Sequence, residues 1–212
     1  MKVLVIAPQP FFENRGTPIN VREIIRTLAQ AEYKVTLCCY PGPSLEEDIE
    51  NLTIIRCPKI PGIKGIPVGP SLVKLAYDFI LSFVVLFQAI KIKPDIFHGI
   101  EEGGFIGGVL GILQKKPYVM DVDSAMSEQL LESSSCVIKR LAPVCKLLER
   151  YFFRKSAAII TVCPELTRYV ESTCIHKNIH LIPDFFQETA LTFVQSEVDS
   201  LKNELLDFEN QK

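Results

Sequence analysis

The sequence predicts an α/β chain built on one doubly wound parallel sheet, followed by a separate amphipathic helix. Three observations predict it. Short β-branched runs, KVLVIA at 2–7 and KVTLCCY at 34–40 among them, alternate with stretches of helical period. Those runs are apolar throughout, as strands covered by helices on both faces must be. The 212 residues are 48% hydrophobic and 23% charged, enough for a packed core and too apolar for a disordered chain.

The first strand, 2–7, leads into a loop with two prolines, two phenylalanines and one glycine, Gly16, before a helix from about Ile19 to Ala31. Strands follow at 34–40 and at 52–56 (LTIIR). A Pro/Gly-rich connection, 57–70, reaches the longest apolar run, Phe79 to Ile90. At about twelve residues it is too short to cross a bilayer, so a buried helix is expected, with an interfacial helix flanked by Lys74, Lys91 and Lys93 as the alternative. Next come a strand at 95–98 (DIFH), a glycine-bearing helix, a strand at 117–122 (PYVMDV), helices to about Lys155, a strand at 157–162, a helix after Pro164 and a strand at 179–183. This alternation makes residues 1–184 one Rossmann-like domain. In the remainder, 185–212, Leu191, Val194, Val198, Leu201, Leu205 and Phe208 recur three or four residues apart, one face of a helix that needs a partner.

Composition excludes several classes. A formal charge of −2 gives no global attraction to nucleic acid. The seven cysteines are odd in number, sit partly inside apolar runs and show no zinc spacing, which fits a reduced, cytoplasmic chain. The few apolar residues before Pro8 are too short for a secretory signal.

In an open parallel sheet ligands bind beyond the carboxyl ends of the strands. The first loop lacks Gly-x-Gly-x-x-Gly and a P-loop lysine, which argues against a nicotinamide or ATP enzyme. Arg15, Gly16 and Thr17 stand directly before a helix start, where free amides and the helix dipole favour an anion. Capping by Thr17 and Pro18 explains those two residues and leaves the Arg-Gly pair unexplained. After the fourth strand, His98, Glu101 and Glu102 are candidates for binding a polyhydroxylated ligand or for acid–base work, and a structural role for a lone histidine is the alternative. Gly104, Gly107, Gly108 and Gly111 suggest a smooth helix face pressed on the sheet. After the fifth strand, Asp121 and Asp123 have the look of a metal-binding pair, but with no third acidic ligand nearby, single hydrogen-bonding roles for Asp121, Asp123 and Ser124 compete with it. Lys139, Lys146, Arg150 and Arg154 form a stripe if 139–155 is one helix, either a solvated face or a docking stripe for anionic lipid; Pro143 threatens its continuity.

Taken together and in order, FFENRGTPINVREIIRTLAQAEYKVTLCCYPG, KPDIFHGIEEG, KPYVMDVDSAMSEQL, SAAIITVCPEL and IHLIPDF make the chain resemble the N-terminal half of a family 4 glycosyltransferase of the GT-B fold. The resemblance runs to about Asp184. It implies an acceptor-binding domain that faces a nucleotide-sugar domain across a cleft, with transfer of a sugar from a nucleotide diphosphate to a hydroxyl with retention. It implies that the Gly16 loop approaches the donor diphosphate, that Phe11 and Phe12 shape the acceptor side, and that the polar catalytic role falls to Asp123, where the family often has a histidine; His98 stands beside it as the catalytic candidate that its place at a strand end suggests. Substrate contacts are then expected from Phe12, Arg15, Gly16, Thr17, Glu101, Glu102, Asp121 and Ser124.

The family's donor domain carries two glutamates with seven residues between them, and no pair here has that spacing. Residues 185–212 resemble the hinge and helix that lead into that domain. The expected partners are a sugar or lipid-linked acceptor and a donor domain in cis or on a separate chain, with no cofactor, no metal and no nucleic acid, in the cytoplasm or at the inner face of the membrane. These residues alone are expected not to transfer sugar. A non-catalytic, glycosyltransferase-like scaffold acting through a partner is the rival reading.

Overall fold

In the computed structural model, which describes residues 1–11, 16–42, 49–63, 65–67, 71–133, 136–175 and 178–183, seven strands run parallel. They are β1 (Lys2–Pro10), β2 (Lys34–Tyr40), β3 (Leu52–Arg56), β4 (Ile96–Ile100), β5 (Tyr118–Val122), β6 (Ala158–Thr161) and β7 (Ile179–Leu181). The helices are α1 (Gly16–Gln30), α2 (Leu72–Ile92), α3 (Gly103–Gln114), α4 (Met126–Glu132), α5 (Cys136–Lys139), α6 (Ala142–Lys155) and α7 (Pro164–Thr173). The sheet order is β3-β2-β1-β4-β5-β6-β7. This is the Rossmann-like doubly wound sheet that the sequence predicts.

Direction of travel decides which face each helix covers, because parallel crossovers are right-handed. The chain steps from β1 to β2 in one direction, so α1 lies on one face, its Val21 and Ile25 packed with Val3, Val5, Val35 and Leu37. It then returns to β4 and continues to β7 in the other direction. Consequently α2, α3, α6 and α7 share the opposite face, where Leu81, Val85, Leu110, Phe152 and Val170 meet Leu4, Ile6, Phe97 and Met120. The reversal falls between β1 and β4, and a cleft opens at that switch point.

The glycines of α3 do what their spacing suggests. Gly104, Gly107, Gly108 and Gly111 are buried. A Cβ on Gly108 would lie 2.5 Å from the Phe152 ring.

Several boundaries differ from the sequence expectation. β1 continues through Pro8 to Pro10, with a register break against β2 after Ala7 that accommodates the missing proline amides. α1 starts at Gly16, so Thr17 lies inside its first turn and is not its N-cap. The run expected to be a buried helix is the centre of a 21-residue helix, α2, with one buried and one exposed side. The stretch 139–155 is two helices: Lys139 ends α5, and Pro143 sits in the first turn of α6, where its absent N–H costs nothing. The amphipathic helix expected within 185–212 lies outside the described residues.

Candidate functional site

Beyond the carboxyl ends of β1, β4 and β5 lies a cleft of about 430 Å³. The start of α1 supplies Gly16, Thr17 and Pro18 to one wall, and β1 supplies Gln9. Glu101, Asp123, Ser124, Gln129, Tyr40 and Lys74 also line the cleft. Gln9 is only 6% exposed, and its Nε2 meets no hydrogen-bond partner among the described residues. A buried amide donor left open on a cleft is costly without a ligand or water to accept from it.

One lysine organises the acidic side. Lys74 Nζ lies 2.8 Å from Glu102 Oε1 and 4.0 Å from Glu101 Oε2. Burial opposes its charge, yet Glu102, Glu101 and Asp78 more than offset that and raise its pKa. Ser124 Oγ donates to Glu101 Oε1 at 3.1 Å, and Tyr40 donates its hydroxyl proton to Asp78. Glu101 itself sits at φ +49°, a left-handed conformation unusual for its residue type, with its N–H bonded to the Asp121 carbonyl at 2.9 Å. Burial and then the Glu102 carboxylate push the Glu101 pKa up, against Lys74 and Ser124.

For Asp78, burial followed by the charge on Glu102 lifts the carboxyl to about 7, although the Tyr40 hydrogen bond and Lys74 pull it down. An acid with a raised folded pKa binds its proton more tightly folded than unfolded. Stability is therefore lost as pH rises from about 4 through about 7. Asp78→Asn keeps an acceptor for Tyr40 and removes the titration. Urea unfolding across that window is expected to show a flatter profile, with roughly 2 kcal/mol less decline for this half-buried group; an unchanged slope would count against the shift.

The structure separates the sequence candidates into three places. Gly16, Thr17, Glu101, Asp123 and Ser124 meet at the cleft, and Glu102 joins them through Lys74. His98 does not lie at a strand end, because β4 runs two residues further, to Ile100. It faces the α1 side of the sheet in register with Val5, and its Nε2 is 3.3 Å from Asp121 Oδ2 inside β5. Both side chains are buried. Asp121 and Asp123 thus occupy different settings, and among the described residues no three His, Cys, Asp or Glu groups are placed to hold a metal. Phe12 and Arg15 lie outside the described residues; Phe11 is fully buried in the core with Val21 and Ile25.

As residues of the cleft, Asp78, Tyr40, Gln9 and Gln129 escaped the sequence reading, and so did Lys74, which was named there only as a flank of the apolar run. A signal existed for two of them. Lys74 and Asp78 continue, at helical spacing, the stripe of Tyr77, Leu81 and Val85 that α2 buries, and a charged pair on a buried stripe requires partners.

An open parallel sheet with its cleft at the switch point defines a Rossmann-like α/β domain. The chain superposes on sucrose-phosphate synthase from Thermosynechococcus elongatus with a TM-score of 0.60 at 16% identity, over 86% of this chain and 47% of that one. For Anabaena HepE in complex with UDP the values are 0.59, 15%, 97% and 50%. For an Arabidopsis thaliana UGT complexed with UDP they are 0.60, 14%, 96% and 57%. The chain therefore spans about half the length of these structures, and at such identities they establish the fold alone. The sequence profile of Glycosyltransferase Family 4 matches residues 15–186, and the chain belongs to that family. No curated protein sequence matches it.

Proposed function

We propose that the chain is the acceptor-binding half of a retaining glycosyltransferase that moves a sugar from a nucleotide-diphosphate donor to a hydroxyl. The observation that carries this reading is the cleft: a helix start, an open buried amide and a carboxylate–hydroxyl pair converge at the switch point of a family 4 sheet. The amides of Gly16 and Thr17 at the α1 start would face the leaving phosphate and stabilise its charge through backbone dipoles. Asp123, Glu101 and Gln9 would hold acceptor hydroxyls from the β-strand side. The UDP in two of the similar structures supports the donor class. The donor would sit on a second domain, in cis or on a separate chain, so these residues alone would transfer nothing.

Gly16→Val tests it. Among the described residues nothing lies within 4 Å of a Cβ at Gly16, which leaves room for the branch. The expected result, with the donor half supplied in cis or in trans, is a fall in sugar transfer of roughly 100-fold or more and a shift in melting temperature of under about 3 °C. Unchanged transfer by the variant sinks the assignment of Gly16 to the donor side. Turnover of a nucleotide sugar by residues 1–212 alone sinks the incomplete half, and partner capture without any transfer favours a scaffold.

A further inference from the structure

The outer side of the α2–α3–α6 layer is apolar where a surface layer is usually polar. On α2, Leu75, Phe79, Phe83, Phe87 and Ile90 follow one another at three- and four-residue spacing, and Phe79, Phe83 and Phe87 are 66%, 58% and 65% exposed. Leu113 on α3 and Leu147 on α6 are 72% and 68% exposed. Continuous apolar surface of this kind marks an interaction site. α2 is long and apolar enough to cross a membrane, with 22% of its most apolar stretch buried. Its opposite stripe, Tyr77, Leu81, Val85 and Ala89, packs on the sheet, so α2 is a layer of the domain and can lie against a bilayer but not thread it.

Charge indicates what covers this surface. The whole chain is at −2, yet among the described residues of 72–155 ten Lys and Arg are exposed against three acids, Asp95, Glu128 and Glu132. Lys91, Lys93, Lys115, Lys116, Arg154 and Lys155 lie at or just past the carboxyl ends of α2, α3 and α6. The three helices run the same way, antiparallel to the strands, so their basic ends gather at one edge of the apolar stripes. Lysine is depleted in protein–protein interfaces, whereas an apolar strip beside a basic edge matches acyl chains beside anionic headgroups. An apolar cavity of about 330 Å³, walled by Leu75, Ile106, Leu130, Leu141 and Val144, opens in the same layer. Lys74 and Gln129 line both it and the polar cleft.

We propose that the α2–α3–α6 face docks the chain on a bilayer containing anionic lipid, with the α2 phenylalanines at the headgroup–acyl boundary. The cavity then joins that bilayer to the cleft and admits the apolar part of a lipid-linked acceptor, a clause that rests on the function proposed above. The test is flotation of the full chain with vesicles of phosphatidylcholine containing about 30% phosphatidylglycerol. Expected is binding that falls at least ~5-fold with pure phosphatidylcholine or in about 0.5 M salt. Phe83→Ser/Phe87→Ser is expected to lose roughly 10-fold or more in partition while melting as the parent does, because both rings are exposed. Absence of vesicle binding, or equal binding by the double variant, overturns the proposal. A dimer that the double variant dissolves, without vesicle binding, assigns the face to a second copy. Vesicle binding only after removal of residues 188–212 assigns it to the chain's own acidic tail. Vesicle binding unaffected by Gly16→Val keeps this outcome separate from that of the transfer assay.

Discussion

Gly99→Ala is expected to cost the fold at least ~3 kcal/mol, a large part of the 5–15 kcal/mol that holds a domain of this kind together. The Cβ would stand 2.3 Å from the Gly103 carbonyl oxygen and 2.4 Å from both Gly103 C and Gly104 Cα. All three are backbone atoms, so no rotamer change relieves the overlap. α3 would have to lift from β4, and Gly103 already approaches so closely that a Cβ there would meet the Ile6 carbonyl oxygen at 2.3 Å. Lifting the helix opens gaps along Ile6, Phe97 and Met120, and gaps in a close-packed interior forfeit dispersion contacts. Two comparisons grade the effect. Gly104→Ala meets the Met120 Cε at 2.7 Å, the far end of a flexible side chain, and is expected to cost about 1–2 kcal/mol. Gly16→Ala meets nothing within 4 Å among the described residues and is expected to stay within about 1 kcal/mol of the parent. Urea midpoints should fall in the order Gly16→Ala, Gly104→Ala, Gly99→Ala; a Gly99→Ala chain as stable as Gly104→Ala would refute the backbone contact.

That close approach also shows what a sequence can and cannot carry. The glycine spacing on α3 is local, repeats at helical period and implies a flat face whatever lies opposite. The strands are equally legible, since burial on both faces makes each of them an apolar run. The end of β4 is not a local matter. Its length follows from pairing with β1 on one side and β5 on the other, Ile6 with Gly99 and Ile100 with Asp121, and so His98 falls inside the strand. Likewise the apolar run in α2 says that some surface must be covered, but only the assembled layers reveal that Tyr77 and Leu81 find the sheet while Phe79 and Phe83 do not. The cleft was legible in its strand-end residues, Gly16, Glu101, Asp123 and Ser124. Its central cation was not, because Lys74 comes from the helix that follows β3 and reaches Glu102 across 28 positions of sequence.

Lys74→Met is expected to be the other severe change, and its signature is a dependence on pH. In the parent the ammonium faces Glu102 at 2.8 Å, Glu101 at 4.0 Å and the nearby Asp78, and the side chain is only 14% exposed. Methionine fills a similar length with apolar atoms, so the loss is chiefly of charge. Three carboxyls would then share a half-buried space without a cation. The folded pKa values of Glu101, already raised, and of Asp78, lifted to about 7, would rise further because the Lys74 contribution that lowers both disappears. Acids bound to protons more tightly in the folded chain lose stability as pH climbs from about 4 through those raised values, so the deficit grows with pH. The variant should be destabilised by roughly 2–4 kcal/mol at pH 8 and by much less at pH 5, where Asp78 is protonated and leaves the lysine less charge to offset. A double variant, Lys74→Met/Glu102→Gln, removes the nearest carboxylate and should recover part of the pH 8 loss. Equal destabilisation at pH 5 and pH 8 would mean that Lys74 acts through packing, and that the acidic wall of the cleft is held together by something other than its charge.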